Sequence, residues 1–172
     1  AGEAPAPDFG AVIARSRGVA DAMSKGVQYL FKKYSIPVIS GFGRLTGAGA
    51  VEVEAADGTK EKYSAKHIII ATGARSRELP NLRQDGKKII GYREAMTLPS
   101  LPASLVVVGS GAIGSEFAGF YRSMGTEVTL VEFMPRILPI EDEEVSRTLE
   151  RSFKKAKMKI MVNSTVEKVD TS

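Results

Sequence analysis

Leu105-Val106-Val107-Val108-Gly109-Ser110-Gly111-Ala112-Ile113-Gly114, followed by Ser115-Glu116-Phe117-Ala118, is the stretch whose reading decides the fold. Four apolar residues run into three glycines at the spacing G-x-G-x-x-G, and a segment with helical spacing follows. Each glycine answers a physical demand when a strand turns into a helix over a phosphate. Gly109 permits the tight turn, Gly111 lets a pyrophosphate approach bare backbone, and Gly114 lets the helix lie close to the strand. Unpaired N–H groups at the helix start, with the positive end of its dipole, attract the phosphates. A lone glycine triplet is weak evidence; the strand before it and the helix after it supply the context.

Downstream, Glu132 lies 23 positions after Gly109, at the end of the apolar run Val128-Thr129-Leu130-Val131. A carboxylate there accepts hydrogen bonds from the ribose hydroxyls of an adenosine and repels a 2′-phosphate, which favours NAD over NADP. Arg136, four residues on, has two readings: a phosphate partner, or a surface arginine after a turn, the one that Glu132 favours. From Leu105 onward the pattern is β-α-β-α-β, with strands at 105–108, 128–131 and 159–162 and helices at 112–124 and 142–156. Val145, Leu149 and Phe153 form one apolar stripe on the second helix. Strands alternating with helices predict a parallel sheet. The basic run Arg147, Arg151, Lys154, Lys155, Lys157 and Lys159 suits the end of a solvated helix whose start carries Glu141 to Glu144. No nucleic-acid module is legible.

Upstream, residues 1–7 read as a loose terminus and Asp8 as an N-cap. Phe9, Ile13, Met23, Val27, Leu30 and Phe31 recur mostly at helical spacing, which predicts a helix to Tyr34, with Gly18 a candidate interruption and Pro37 the stop. A short strand is expected at Val38 to Ser40. Val51-Glu52-Val53-Glu54 alternates with period two, Asp57-Gly58 is a turn, and a second strand is expected at Lys62 to Ser64. After this small antiparallel β-meander, His67-Ile68-Ile69-Ile70-Ala71 suits a strand buried on both faces. Residues 74–103, with Pro80, Pro99 and Pro102, read as a connector bearing a short helix at Arg93 to Met96. The expected class is α/β: a truncated Rossmann-type parallel sheet, a β-meander and an N-terminal helix. Three parts follow, at 1–76, 77–103 and 104–172.

Composition sets the exclusions. The chain has 172 residues, 24 Lys plus Arg against 20 Asp plus Glu, one His and no Cys. That length buries a real core. No apolar run reaches the ~20 residues needed to span a membrane as a helix. These residues carry no disulfide, thiolate zinc site, iron–sulfur cluster or thiol nucleophile. With His67 alone, a triad needing a second histidine is excluded. No residue is assigned a catalytic or metal-binding role.

Taken together, Ile68-Ile69-Ile70-Ala71-Thr72-Gly73, the proline-bearing connector, the glycine fingerprint and Glu132-Phe133-Met134-Pro135-Arg136-Ile137-Leu138-Pro139 resemble the flavoprotein disulfide reductases. Gly26-Val27-Gln28-Tyr29-Leu30-Phe31-Lys32-Lys33 and Gly41-Phe42-Gly43-Arg44-Leu45-Thr46-Gly47 extend the resemblance over nearly the whole chain. Within that family the match is to the branch that oxidises dihydrolipoyl groups, passing electrons through a redox disulfide to FAD and then as hydride to NAD.

The resemblance implies roles residue by residue. Gly109, Ser110, Gly111, Ala112, Ile113, Gly114, Ser115, Glu116 and Glu132 match the NAD site, and Val166 matches a position against the adenine. Gly43, Thr72, Gly73 and Ala74 match contacts to FAD. Glu116 matches an acid that pairs with a lysine near the flavin and faces the nicotinamide, although an acid early in a helix is stabilised by the dipole in any case. His67 matches no functional position. Residues 1–76 then correspond to part of a flavin domain, and 104–172 to an incomplete NAD domain. The partners implied are a second copy of the parent, as a homodimer, and lipoyl domains of 2-oxo acid dehydrogenase or glycine cleavage complexes, in the cytoplasm or the mitochondrial matrix.

Departures from the family pattern shape the expectation. The two-cysteine motif, the first flavin glycine fingerprint, the lysine partner of Glu116 and the His–Glu acid/base pair are not in these residues. Proton transfer at a thiol needs a base within about 3 Å. The chain is therefore expected to be a piece of a longer enzyme, inactive toward dihydrolipoamide, weak or undetectable in NAD binding, and prone to self-association through an unpaired sheet edge and uncovered apolar helix faces. Two other readings stay open: a piece of a mercuric or glutathione-type reductase or soluble transhydrogenase, and a catalytically silent nucleotide-binding or interaction module.

Overall fold

A computed structural model describes residues 7–171. The loose terminus expected at 1–7 lies, apart from Pro7, outside the described residues. The described chain divides into two compact units: residues 17–75, and residues 7–16 with 76–171.

The long helix α1 (Phe9–Lys33) starts as the sequence predicts, with the Asp8 carboxylate accepting from the Ala11 N–H at 3.0 Å. Gly18 does not interrupt it. A helical N–H needs only a carbonyl four residues back, and one glycine costs about 1 kcal/mol without breaking that ladder. In the unit of residues 17–75, α1 is followed by the meander β1 (Phe42–Gly47), β2 (Ala50–Glu54) and β3 (Lys60–Ser64), in that order and all antiparallel. Val51 faces Leu45 on one side and Tyr63 on the other. The turn read at Asp57-Gly58 is present: the Asp57 carboxylate accepts from the Thr59 N–H at 2.9 Å, and Gly58 has φ +85°.

Two sequence expectations in this unit are corrected. The first strand is Phe42–Gly47, not Val38 to Ser40, which pairs with nothing among the described residues. Its two glycines hide the alternation that would have marked it. His67 to Ala71 is not a strand; Ile69 is 90% and Ile70 68% exposed. A strand buried on both faces needs ladder partners and covering layers, and the described residues supply neither. Met23, Val27 and Leu30 on α1 are likewise exposed.

The other unit carries the parallel sheet: β4 (Ser104–Val108), β5 (Glu127–Val131) and β6 (Lys159–Met161), in that spatial order. Helices α3 (Ala112–Ser123) and α4 (Glu143–Lys155) form the crossovers, as the β-α-β-α-β pattern predicts. The core unites Ala118 and Tyr121 of α3, Val128 and Leu130 of β5, Ile137, Phe153 of α4, Met158 and, from the first turn of α1, Phe9. The Phe9 ring lies 6.1 Å from that of Tyr121.

The connector packs in this unit. A short helix α2 (Tyr92–Ala95) offers the Ala95 carbonyl to the buried Tyr121 hydroxyl at 2.6 Å. The Pro102 carbonyl accepts from the Thr126 hydroxyl at 2.8 Å. On α4 the predicted stripe is shifted: Val145 is exposed, while Ser146, Leu149 and Phe153 turn inward. Ser146 takes the inner place because its hydroxyl donates to the Leu138 carbonyl at 3.1 Å. The basic end of α4 is solvated, with Lys154 paired to Glu150 and Arg147 to Glu143 at helical spacing.

Candidate dinucleotide-binding site

Gly109 closes β4 with φ +97°, a left-handed conformation open to glycine, and its N–H donates to the Val131 carbonyl at 2.8 Å. Gly111 caps α3 in an extended conformation, and a Cβ built there meets no atom within 4 Å. Gly114 differs sharply. A Cβ there would lie 2.0 Å from the Gly109 carbonyl oxygen and 3.5 Å from a Val107 methyl. The first turn of α3 thus rests on the loop, and its leading N–H groups have no carbonyl partner within the helix. Gly111, Ala112 and Ile113 are exposed around them, as is Glu116.

Glu132 follows β5 and is only 7% exposed. Its Oε2 accepts from the Ser110 N–H at 2.8 Å and the Ser110 hydroxyl at 2.6 Å. Its Oε1 accepts from the Met134 N–H at 2.8 Å. Burial pushes this carboxyl upward, but the hydrogen bonds from Met134, Ser110 and Phe133 prevail and hold it below its ordinary value. An acid and a glycine turn separated by 22 positions in sequence are thereby joined in space.

A sequence profile of pyridine nucleotide-disulphide oxidoreductases matches residues 2–172. The chain belongs to that family. Among pyridine nucleotide-disulphide oxidoreductases, it is 48% identical over 163 residues to the dihydrolipoyl dehydrogenase of Zymomonas mobilis, covering 94% of this chain and 35% of that protein. It is 36% identical over 165 residues to the mitochondrial dihydrolipoyl dehydrogenase 1 of Arabidopsis thaliana, covering 96% of this chain and 32% of that one. The crystal structure of LpdA from Mycobacterium tuberculosis superposes with a TM-score of 0.87 at 31% identity, over 96% of this chain and 38% of that chain. The chain thus spans about a third of the length of the curated relatives it matches.

Of the other positions singled out from sequence, Val166 is half-buried and its carbonyl accepts from the Asn81 side-chain amide at 2.9 Å. It follows Ser164, whose N–H donates to the Glu132 carbonyl at 2.9 Å, so the segment after β6 runs beside the acid. Ser115 is buried and donates to the Ser110 carbonyl at 3.0 Å. Arg136 is occupied within its own loop, donating to the carbonyls of Pro139 and Glu141, both at 3.0 Å.

Gly43, Thr72, Gly73 and Ala74 belong to the unit of residues 17–75 and are all exposed. The described residues build no enclosure for a flavin around them. His67 is exposed, and no cluster of metal-ligating side chains occurs among the described residues.

Leu138 escaped the sequence reading. It is buried at φ +45°, a left-handed conformation rare for a side chain of this size. Its N–H donates to the Ser110 carbonyl at 3.0 Å. Nothing in the local pattern marks it, because only the loop's closure over Ser110 demands that geometry.

Proposed function

We propose that the chain is the nucleotide-binding part of an NAD-dependent oxidoreductase of dihydrolipoyl groups. Gly109, Gly111 and Gly114 form the pyrophosphate turn, with Ala112, Ile113 and Ser115 at the helix start. Glu132 meets the adenosine ribose, Val166 lies against the adenine, and Glu116 faces the nicotinamide end. The observation that carries this reading is the buried, hydrogen-bonded Glu132 carboxylate joined to the glycine turn. It is the acceptor a ribose hydroxyl needs and a negative group that a 2′-phosphate would meet. NAD, when bound, supplies the hydride acceptor; the chain's own task is to bind and orient it.

Gly43, Thr72, Gly73 and Ala74 are proposed as backbone contacts to FAD, contributing to a site that these residues do not enclose alone. The thiol pair for dihydrolipoyl oxidation is not among these 172 residues, which contain no cysteine. The names of the relatives support the dihydrolipoyl branch, and with it a homodimeric parent serving lipoyl domains of 2-oxo acid dehydrogenase or glycine cleavage complexes. Relatives include mitochondrial proteins, and no described helix is long and apolar enough to cross a membrane. Cytoplasm or mitochondrial matrix is the proposed setting.

Calorimetric titration with NAD and NADP tests the reading. NAD is expected to bind, weakly, and better than NADP. A preference for NADP, or binding of neither, refutes it.

A further inference from the structure

Ser110 occupies a position that the glycine fingerprint leaves open to any residue, between the first two glycines. In this chain it is fully buried, which withdraws its side chain from the face that a nucleotide would approach. Both of its donors end on a single atom, Oε2 of Glu132, at 2.6 Å from the hydroxyl and 2.8 Å from the N–H. Its carbonyl accepts from the Leu138 N–H and the Ser115 hydroxyl, each at 3.0 Å. Held at its N–H, its hydroxyl and its carbonyl, Ser110 has no freedom to turn toward a ligand.

A carboxylate offers about four acceptor sites, two on each oxygen. Ser110 takes both on Oε2, while the Met134 N–H donates to Oε1 and the Phe133 N–H also engages the carboxylate.

We infer that Ser110 is a specificity-determining positioning residue: by donating twice to Oε2 of Glu132 it fixes the carboxylate beside the glycine turn, where the acid can meet the ribose and repel a 2′-phosphate. This rests on the NAD reading given above. The hydroxyl donates and never accepts from the carboxylate, so it favours the charged form, the form that repels a 2′-phosphate. Charged neighbours do not substitute for it. Arg136 in the following loop directs its Nη2 to the carbonyls of Pro139 and Glu141. On the adjoining strand, Lys159 stands opposite Thr129, before Glu132, and is exposed. The influences on the Glu132 carboxyl are burial and hydrogen bonds alone.

Ser110→Ala removes the hydroxyl and keeps the N–H, and Ser110→Cys keeps nearly the same volume with a much weaker donor. Each would be titrated with NAD and with NADP by calorimetry over a series of pH values, alongside the unaltered chain, with thermal melting as a control. NAD affinity is expected to fall about tenfold, the usual scale for a lost hydrogen bond to a charged group. NADP affinity should change less, and the acid limb of NAD binding should move to higher pH. A general loosening of the fold would weaken both nucleotides together and leave the limb in place. Should a folded variant keep the full NAD preference and the same limb while the unaltered chain prefers NAD, the inference is overturned and the NAD reading stands. If the unaltered chain itself shows no NAD preference, the NAD reading fails and the inference goes with it.

Discussion

Gly114→Ala and Gly111→Ala add the same methyl to the same turn, and the structure assigns them opposite consequences. At Gly114 the new carbon would sit 2.0 Å from the Gly109 carbonyl oxygen. A comfortable carbon–oxygen contact is about 3.3 Å, so more than 1 Å must be recovered by moving backbone. The offending oxygen belongs to the Gly109–Ser110 peptide, whose N–H is bonded to Glu132 at 2.8 Å. Tilting that peptide to relieve the clash breaks the bond to a buried carboxylate, worth about 1.5–3 kcal/mol. Otherwise α3 must back away from β4, at a typical overpacking cost of about 1–3 kcal/mol. We therefore expect Gly114→Ala to destabilise the sheet unit by about 3 kcal/mol, lowering its thermal midpoint by roughly 6–12 °C for a chain of this size. At Gly111 the added carbon meets nothing within 4 Å and the backbone is extended, so the midpoint should move by no more than about 2 °C. The methyl there stands where the pyrophosphate would approach, and NAD affinity should fall by about tenfold or more. Far-UV circular dichroism and calorimetry read the two effects. If Gly114→Ala melts within 2 °C of the unaltered chain, the close approach of helix and loop is wrong. Should Gly111→Ala bind NAD undiminished, the pyrophosphate does not cross that glycine.

Other expectations follow from the same geometry. Glu132→Gln puts an amide N–H₂ among groups that only donate to it and should cost about 2 kcal/mol in urea unfolding, because a buried donor is left unpaired; a neutral result would contradict the network. The Glu132 carboxyl is held below its ordinary 4.5 in the folded chain, so its stabilisation is complete above that value and is lost as pH falls through the lower folded one. The stability gap between the unaltered chain and Glu132→Gln should accordingly narrow in acid, and a gap that widens would reverse the sign. Tyr121→Phe strips the Ala95 carbonyl of its donor and should cost about 1 kcal/mol, visible as a shifted unfolding midpoint. Val106 and Val108 expose one face of β4, with Val106 60% accessible, and light scattering should find association rising with concentration; a constant monomer mass would argue against it.

The strand–glycine–helix sequence from Leu105 to Ala118 was readable because its constraints are local. A β-branched run, a turn needing glycine, and helical spacing all act within a few residues of one another. The two crossovers, the Asp8 cap and the Asp57-Gly58 turn were legible on the same ground. His67 to Ala71 was misread for the complementary reason: its composition suits a buried strand, but pairing and cover come from elsewhere, and composition carries no information about either. β1 was missed because glycines at 43 and 47 erase the alternation that pairing with β2 nevertheless imposes. On α4 the apolar stripe ended one residue out of place, since a hydroxyl was needed under Leu138 and Ser146 supplied it.

By itself, the sequence determined that a parallel α/β unit with a dinucleotide fingerprint is present, and that an acid ends its second strand. Periodicity, glycine spacing and the identity of a single carboxylate are properties of a string. Tertiary structure alone decided what that carboxylate is bonded to, that Arg136 donates to carbonyls of its own loop, that Leu138 is forced into a left-handed conformation, and that Ser110 points inward. Those facts depend on two segments 22 residues apart meeting at 2.6 Å, and a hydrogen bond is settled by direction and distance, which closure of the fold sets.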